Sequence, residues 1–265
     1  MALLASLSPA RRRLAAGVLA LVVLALVVVI VAVVRQQRGV DPVAQDRGGP
    51  VLLVPGYGGS TTGLEVLADA LEDDGRDVRV VEALGSGTGD LRDQAAHLGD
   101  VVDETLDETG APSVDVVGYS AGGVVLRLYV ADLGGGSTVR RAVTLASPHH
   151  GTNLASLARA LGTQACPDAC EQLDPDSDLM RDLNAGDETP DGPEWVALWT
   201  EDDDTVVPPV SGALDGALAY SIQDVCPGLT ASHGQVPVAP EVAAMVEAAI
   251  GTAGPVEPDA AVCES

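Results

Sequence analysis

The sequence predicts an α/β fold, a mostly parallel sheet with helices on both faces, preceded by one N-terminal transmembrane helix. Three observations predict it. From residue 50 onward, short apolar runs alternate with stretches that carry apolar residues at helical spacing. That alternation is the pattern of a parallel sheet whose crossovers are helices. A run of 21 residues without a charge, 14–34, comes first. A glycine-flanked serine, Ser120, follows directly on one of the apolar runs.

As a helix rising about 1.5 Å per residue, segment 14–34 spans roughly 31 Å, the thickness of a bilayer core. Cleaved signal peptides have apolar cores of only about 7–15 residues. The run therefore reads as an uncleaved signal anchor, with a cleaved signal and twin-arginine export as alternatives. Arg11, Arg12 and Arg13 place residues 1–13 in the cytoplasm and the domain outside; Arg35 and Arg38 oppose that bias. Residues 35–49, aperiodic and rich in Arg, Gln, Gly and Asp, read as a linker.

The domain is expected over 50–251. A buried strand over 51–54 leads into glycines. Thr62 and Glu65 have capping-box spacing, Leu64, Leu67, Ala68 and Leu71 form a helical stripe, and Gly75 ends it. A strand follows over 78–81. Asp90 caps a helix with the stripe Leu91, Ala95, Leu98, Val102 and Leu106, and Gly110 stops it. A strand over 114–117 runs into Gly118-Tyr119-Ser120-Ala121-Gly122-Gly123, and a helix follows through Val124, Leu128 and Val130. The next strand is 139–146. Residues 162–193, rich in Pro, Asp and Gly, break the pattern and read as a lid-like excursion roofing the site. Strands resume at 195–199 and 217–222, a last helix covers 240–250, and 252–265 is an acidic tail.

Composition narrows the function. The net charge is −25, but residues 1–40 hold five Arg and no acid. The remainder carries nine Arg against 39 acids, a net of −30. A surface this acidic repels phosphate backbones and excludes nucleic-acid binding. With no Phe in the chain, the core must be aliphatic. Cys166, Cys170, Cys226 and Cys263, even in number and all outside the apolar segment, suit disulfides in an oxidising compartment. Of the three possible connectivities, Cys166–Cys170 and Cys226–Cys263 are preferred, clipping a loop and tying down the tail. No Cys/His cluster has zinc spacing, and Asp174, Asp176 and Asp178 lack the Gly and Glu of a calcium loop.

Chemistry concentrates around Ser120. Gly-x-Ser-x-Gly between a strand and a helix is the pattern of a nucleophile elbow, where glycines remove side chains that would clash with a sharp turn. The helix that follows aims its free N–H groups at a developing oxyanion. Val54-Pro55-Gly56-Tyr57-Gly58-Gly59 completes no phosphate-binding pattern and reads as the other half of an oxyanion hole, with Tyr57 N–H joining Ala121 N–H. Among four histidines, His233 follows the last strand and fits the chain order Ser, acid, His. His97 sits on a predicted surface helix. His149 and His150 follow a strand, yet no acid-bearing strand separates them from Ser120. The acid is sought after 195–199, where Glu201, Asp202, Asp203 and Asp204 crowd together. Asp203 is preferred for its spacing to Val206 and Pro208, then Asp204, then Asp202.

These segments are similar to bacterial secreted triacylglycerol lipases and esterases of the α/β-hydrolase superfamily, particularly actinobacterial ones. The matching stretches are VLLVPGYGGS, GTGDL, VDVVGYSAGG, ASPHHGT, ACEQL, WTEDDDTVVPP and VCPGLTASHGQ, spread over 51–235. The resemblance implies an α/β-hydrolase core, Ser120, Asp203 and His233 as the triad, Tyr57 and Ala121 as oxyanion donors, and Cys–Cys pairs in loops. Such lipases often carry His-Gly where this chain has Pro55-Gly56, so a side-chain contribution is lost there. The expected activity is hydrolysis of lipid or small esters by a monomer, without metal or cofactor, on a membrane held by the N-terminal helix. Acyl transfer or thioester cleavage would use the same triad. A binding module without catalysis is the rival from another class.

Overall fold

The protein is described by a computed structural model over residues 42–153 and 166–264, together with Gly17, Val18, Val23, Leu26 and Val40. The predicted membrane segment, 14–34, otherwise lies outside the described residues, and no described helix is long and apolar enough to cross a membrane. Residues Asp41–Ser265 form one compact unit.

Six strands make one parallel sheet: β1 (Val51–Val54), β2 (Val78–Val80), β3 (Val114–Tyr119), β4 (Val139–Leu145), β5 (Glu194–Trp199) and β6 (Leu218–Ser221), in the order β2-β1-β3-β4-β5-β6. Central strands are buried on both faces, which is why they read as continuous apolar runs rather than alternating ones. Leu52, Val54, Val114 and Val116 face one apolar layer with α2 (Leu91–Thr109) and α3 (Ala121–Asp132). Val51, Leu53, Val117 and Val143 face the other, with α1 (Thr62–Asp73) and α7 (Pro240–Ala249). Successive strand residues point to opposite faces, so each β-run serves both layers.

The local signals act largely as read. Asp90 accepts from the N–H of Arg92 to cap α2, and Gly110 ends it at φ 67°. Thr62 opens α1 rather than capping it; the residue before, Thr61, bonds Glu65 through its hydroxyl at 2.9 Å.

The excursion has secondary structure of its own. Its described part, 166–193, contains two short helices, α4 (Asp168–Gln172) and α5 (Asp178–Leu183), between β4 and β5. Leu173, Leu179 and Met180 turn down into the layer of α2 and α3. Gln172 accepts from the N–H of Leu91 at 2.7 Å, and Cys166 pairs with Cys170. Apolar burial thus seats these two helices against α2 and α3. One very short helix, α6 (Ile222–Val225), follows β6, and the tail is joined to it through Cys226–Cys263.

The edge of the sheet opposite the strand C-termini is held by arginine. Where β3 and β4 pair, the register shifts so that Arg140 is an extra residue between Val139 and Arg141. A bulge re-aims side chains, and both arginines are fully buried. Arg140 grips Asp115 with two bonds, at 2.9 and 2.5 Å, and donates to the carbonyls of Gln45, Gly251 and Ile250. All five of its N–H donors are satisfied. The linker and the end of α7 are therefore fastened to the sheet.

Arg140→Met should leave the buried Asp115 carboxyl without its partner and free two chain segments. The expected loss is about 3–5 kcal/mol in urea unfolding. A loss below about 1 kcal/mol would show that the pair does not hold this edge.

Candidate active site

Ser120 lies between β3 and α3 at φ 54° and ψ −126°. This is a sparsely populated conformation for a side-chain-bearing residue, costing of order 1–3 kcal/mol, and it persists only when its surroundings impose it. A Cβ on Gly118 would lie 2.6 Å from the backbone of Gly122, and one on Gly122 would lie 2.3 Å from the carbonyl oxygen of Val54. A Cβ on Gly56 would meet Ser120 Cβ at 2.8 Å. The three glycines let β1, β3 and α3 close around the serine, which remains 8% exposed.

His233 begins a 3-10 turn, His233–Val238, after β6 and α6. Its Nε2 lies 3.0 Å from Ser120 Oγ, and its Nδ1 lies 2.8 Å from Asp203 Oδ2. The carboxylate favours a proton on Nδ1 and leaves Nε2 free to accept from the serine hydroxyl. Asp203 is held in turn: its Oδ1 accepts from the N–H groups of Thr205 at 2.9 Å and Val206 at 2.7 Å. Its side chain is 1% exposed.

Geometry separates the three acids. Asp203 alone of them is bonded to His233. Asp204 is exposed and lines the cleft. Asp202 is exposed and accepts from the N–H of Ala231 at 3.2 Å, while Thr200 donates to the Ala231 carbonyl at 2.6 Å. Asp202 and Thr200 thus tie the Asp203 loop to the loop that carries His233, a role its charge run did not announce.

The other histidines stand apart from Ser120. His97 bonds the carbonyl of Glu82, and His150 pairs with Glu188 at 2.9 Å. His149 is fully buried, with Nε2 against Thr144 Oγ1 at 2.9 Å and no partner for Nδ1 among the described residues. Burial, then the charges of Arg127 and His150, hold its imidazole well below the usual range. The ASPHHGT segment has a bracing part. Thr152 donates to the carbonyl of Thr205 at 2.8 Å and accepts from the N–H of Val207 at 2.9 Å, steadying the Asp203 loop.

Tyr57 and Ala121 flank the serine, on the loop after β1 and the first turn of α3. Neither backbone N–H donates to another described residue, as a helix start and an open turn permit. Tyr119, which sequence reading left unassigned, donates from its hydroxyl to the carbonyl of His233 at 3.0 Å. All of these groups gather at the C-terminal ends of the strands, where open parallel sheets bind ligands. A cleft of about 480 Å³ opens over Ser120 and His233, walled by Tyr57, Leu64, Tyr119 and Pro237.

With this geometry in hand, comparisons with known proteins are informative. A family model described as the alpha/beta hydrolase fold matches residues 49–168. Aspergillus fumigatus lipase B superposes with a TM-score of 0.68 at 20% identity, over 82% of this chain and 57% of that one. The chain thus spans little more than half of that lipase's length. The mature form of the Bacillus licheniformis lipase BlEst2 superposes with a TM-score of 0.59 at 20% identity, over 75% of this chain and 89% of that one. The architecture is that of the α/β-hydrolases, and its structural neighbours include lipases.

A neutral buried His149 makes a signed prediction. Below about pH 6.5 the unfolded chain takes up a proton there that the folded chain refuses, so stability falls as pH falls. His149→Gln should flatten the stability-against-pH slope between pH 6.5 and 5 by up to one proton, read by urea unfolding across that range. An unchanged slope would mean that His149 is protonated inside the fold.

Proposed function

We propose that this chain is a serine carboxylic-ester hydrolase of the lipase and esterase kind. The observation that carries the reading is the continuous bonded chain from Ser120 through His233 to Asp203 beneath an open cleft. Ser120 Oγ attacks the ester carbonyl while His233 Nε2 takes its proton. Asp203 orients the ring and balances its new charge. The N–H groups of Tyr57 and Ala121 receive the negative oxygen of the tetrahedral intermediate. His233 then protonates the leaving alcohol, and water repeats the cycle on the acyl-enzyme. Aliphatic and phenolic walls favour an uncharged acyl chain.

The reading extends to location. The apolar run 14–34 would hold the domain outside the cytoplasm, and the paired cysteines support an oxidising compartment. Protease added to spheroplasts should then digest the domain, with the full-length chain in the membrane fraction; a protected domain would contradict export.

On a p-nitrophenyl ester, Ser120→Ala should lower kcat by about 10⁴- to 10⁶-fold and Asp203→Asn by about 10³- to 10⁴-fold. Asp204→Asn should change it less than about tenfold. Full activity in Ser120→Ala removes the nucleophile assignment, and a larger effect at Asp204 than at Asp203 moves the acid.

A further inference from the structure

The residue between Gly118 and the serine does more than fill the elbow. Tyr119 ends β3, and its hydroxyl crosses to the turn that carries His233, bonding that residue's carbonyl at 3.0 Å. The two positions are 114 residues apart in sequence. The turn is shaped to receive the bond. The residue four beyond His233 is Pro237, which has no N–H to offer the carbonyl in an α-helical bond. Tyr119 also lays its ring beside the imidazole, with centroids 5.1 Å apart and planes inclined by 33°. Burial, then the charge of Asp203, pushes the phenol up, so it stays a donor throughout the neutral range.

We infer that Tyr119 is a positioning residue for His233: its hydroxyl fixes the backbone of the base, and its ring packs beside the imidazole. The inference rests on the serine-hydrolase reading given above. A base must be held within a few tenths of an ångström to move a proton between Ser120 and the leaving group. Asp203 restrains the imidazole through Nδ1, and nothing in that bond restrains the main chain behind it. The Tyr119 hydroxyl supplies that restraint from the same strand that presents the nucleophile, so serine and histidine share one support. The ring, packed beside the imidazole, limits how far that side chain can swing.

Two variants separate the parts. Tyr119→Phe keeps the ring and removes the hydroxyl. It should lower kcat on a p-nitrophenyl ester by about 3- to 10-fold, leave KM within about twofold, and slow fluorophosphonate reaction at Ser120 to the same degree. Tyr119→Leu removes the ring as well. It should lower kcat further, with KM again within about twofold. Thermal unfolding of each variant checks that the fold is kept. A folded Tyr119→Phe protein with unaltered kcat and probe rate overturns the hydroxyl's role, and a folded Tyr119→Leu protein no slower than Tyr119→Phe overturns the ring's. If the unaltered chain itself fails to react with the probe at Ser120, the hydrolase reading fails instead.

Discussion

Ser120 sits at φ 54° where β1, β3 and α3 pack closely, and the rest of the site is arranged around that strained residue. The strain is imposed by close packing. Gly56, Gly118 and Gly122 bring β1, β3 and α3 too near for any Cβ, and the serine is left with its hydroxyl facing the cleft. The same packing puts the first turn of α3 and the turn after β1 beside the hydroxyl. In the proposed reaction their N–H groups would face the developing charge without rearranging, which is where electrostatic catalysis gains most. The six-stranded sheet is rigid enough to maintain this because its central strands are buried on both faces.

Charge is handled differently at the two edges of the sheet. At the C-terminal edge, Asp203 is satisfied by two backbone N–H groups and one imidazole, so its charge is directed at a single ring. At the opposite edge, Arg140 and Asp115 neutralise each other and gather three carbonyls from the linker and the end of α7. The chain spends few cations on its acidic surface. Arg127, Arg140 and Arg141 are all fully buried and bind chain segments together, leaving the exterior strongly negative.

Much of this was legible in the residues. Doubly buried strands appear as apolar runs, and caps such as Asp90 and Gly110 act locally, so both could be read directly. The elbow was legible because its glycines answer to local crowding, and His233 because chain order and loop position agreed. The acid was ranked within a cluster, Asp203 first for its spacing to Val206 and Pro208, while what separates Asp202, Asp203 and Asp204 physically is what each faces. Tyr119 and the support from Thr200 and Thr152 were not legible, because each depends on a partner brought near by the fold. The packing of 166–193 was not legible for a related reason: its polar composition conceals Leu173, Leu179 and Met180, which are buried against α2 and α3. The membrane segment rests on the sequence alone.

The central claim is that Ser120 is a nucleophile facing a preformed oxyanion site. Its most direct test is a crystal structure of the protein after reaction with a short alkyl fluorophosphonate. The account predicts a phosphorus bond to Ser120 Oγ, with the phosphonyl oxygen about 3 Å from the backbone nitrogens of both Tyr57 and Ala121. A bond to any other residue, or a phosphonyl oxygen turned to solvent away from those two N–H groups, would contradict it.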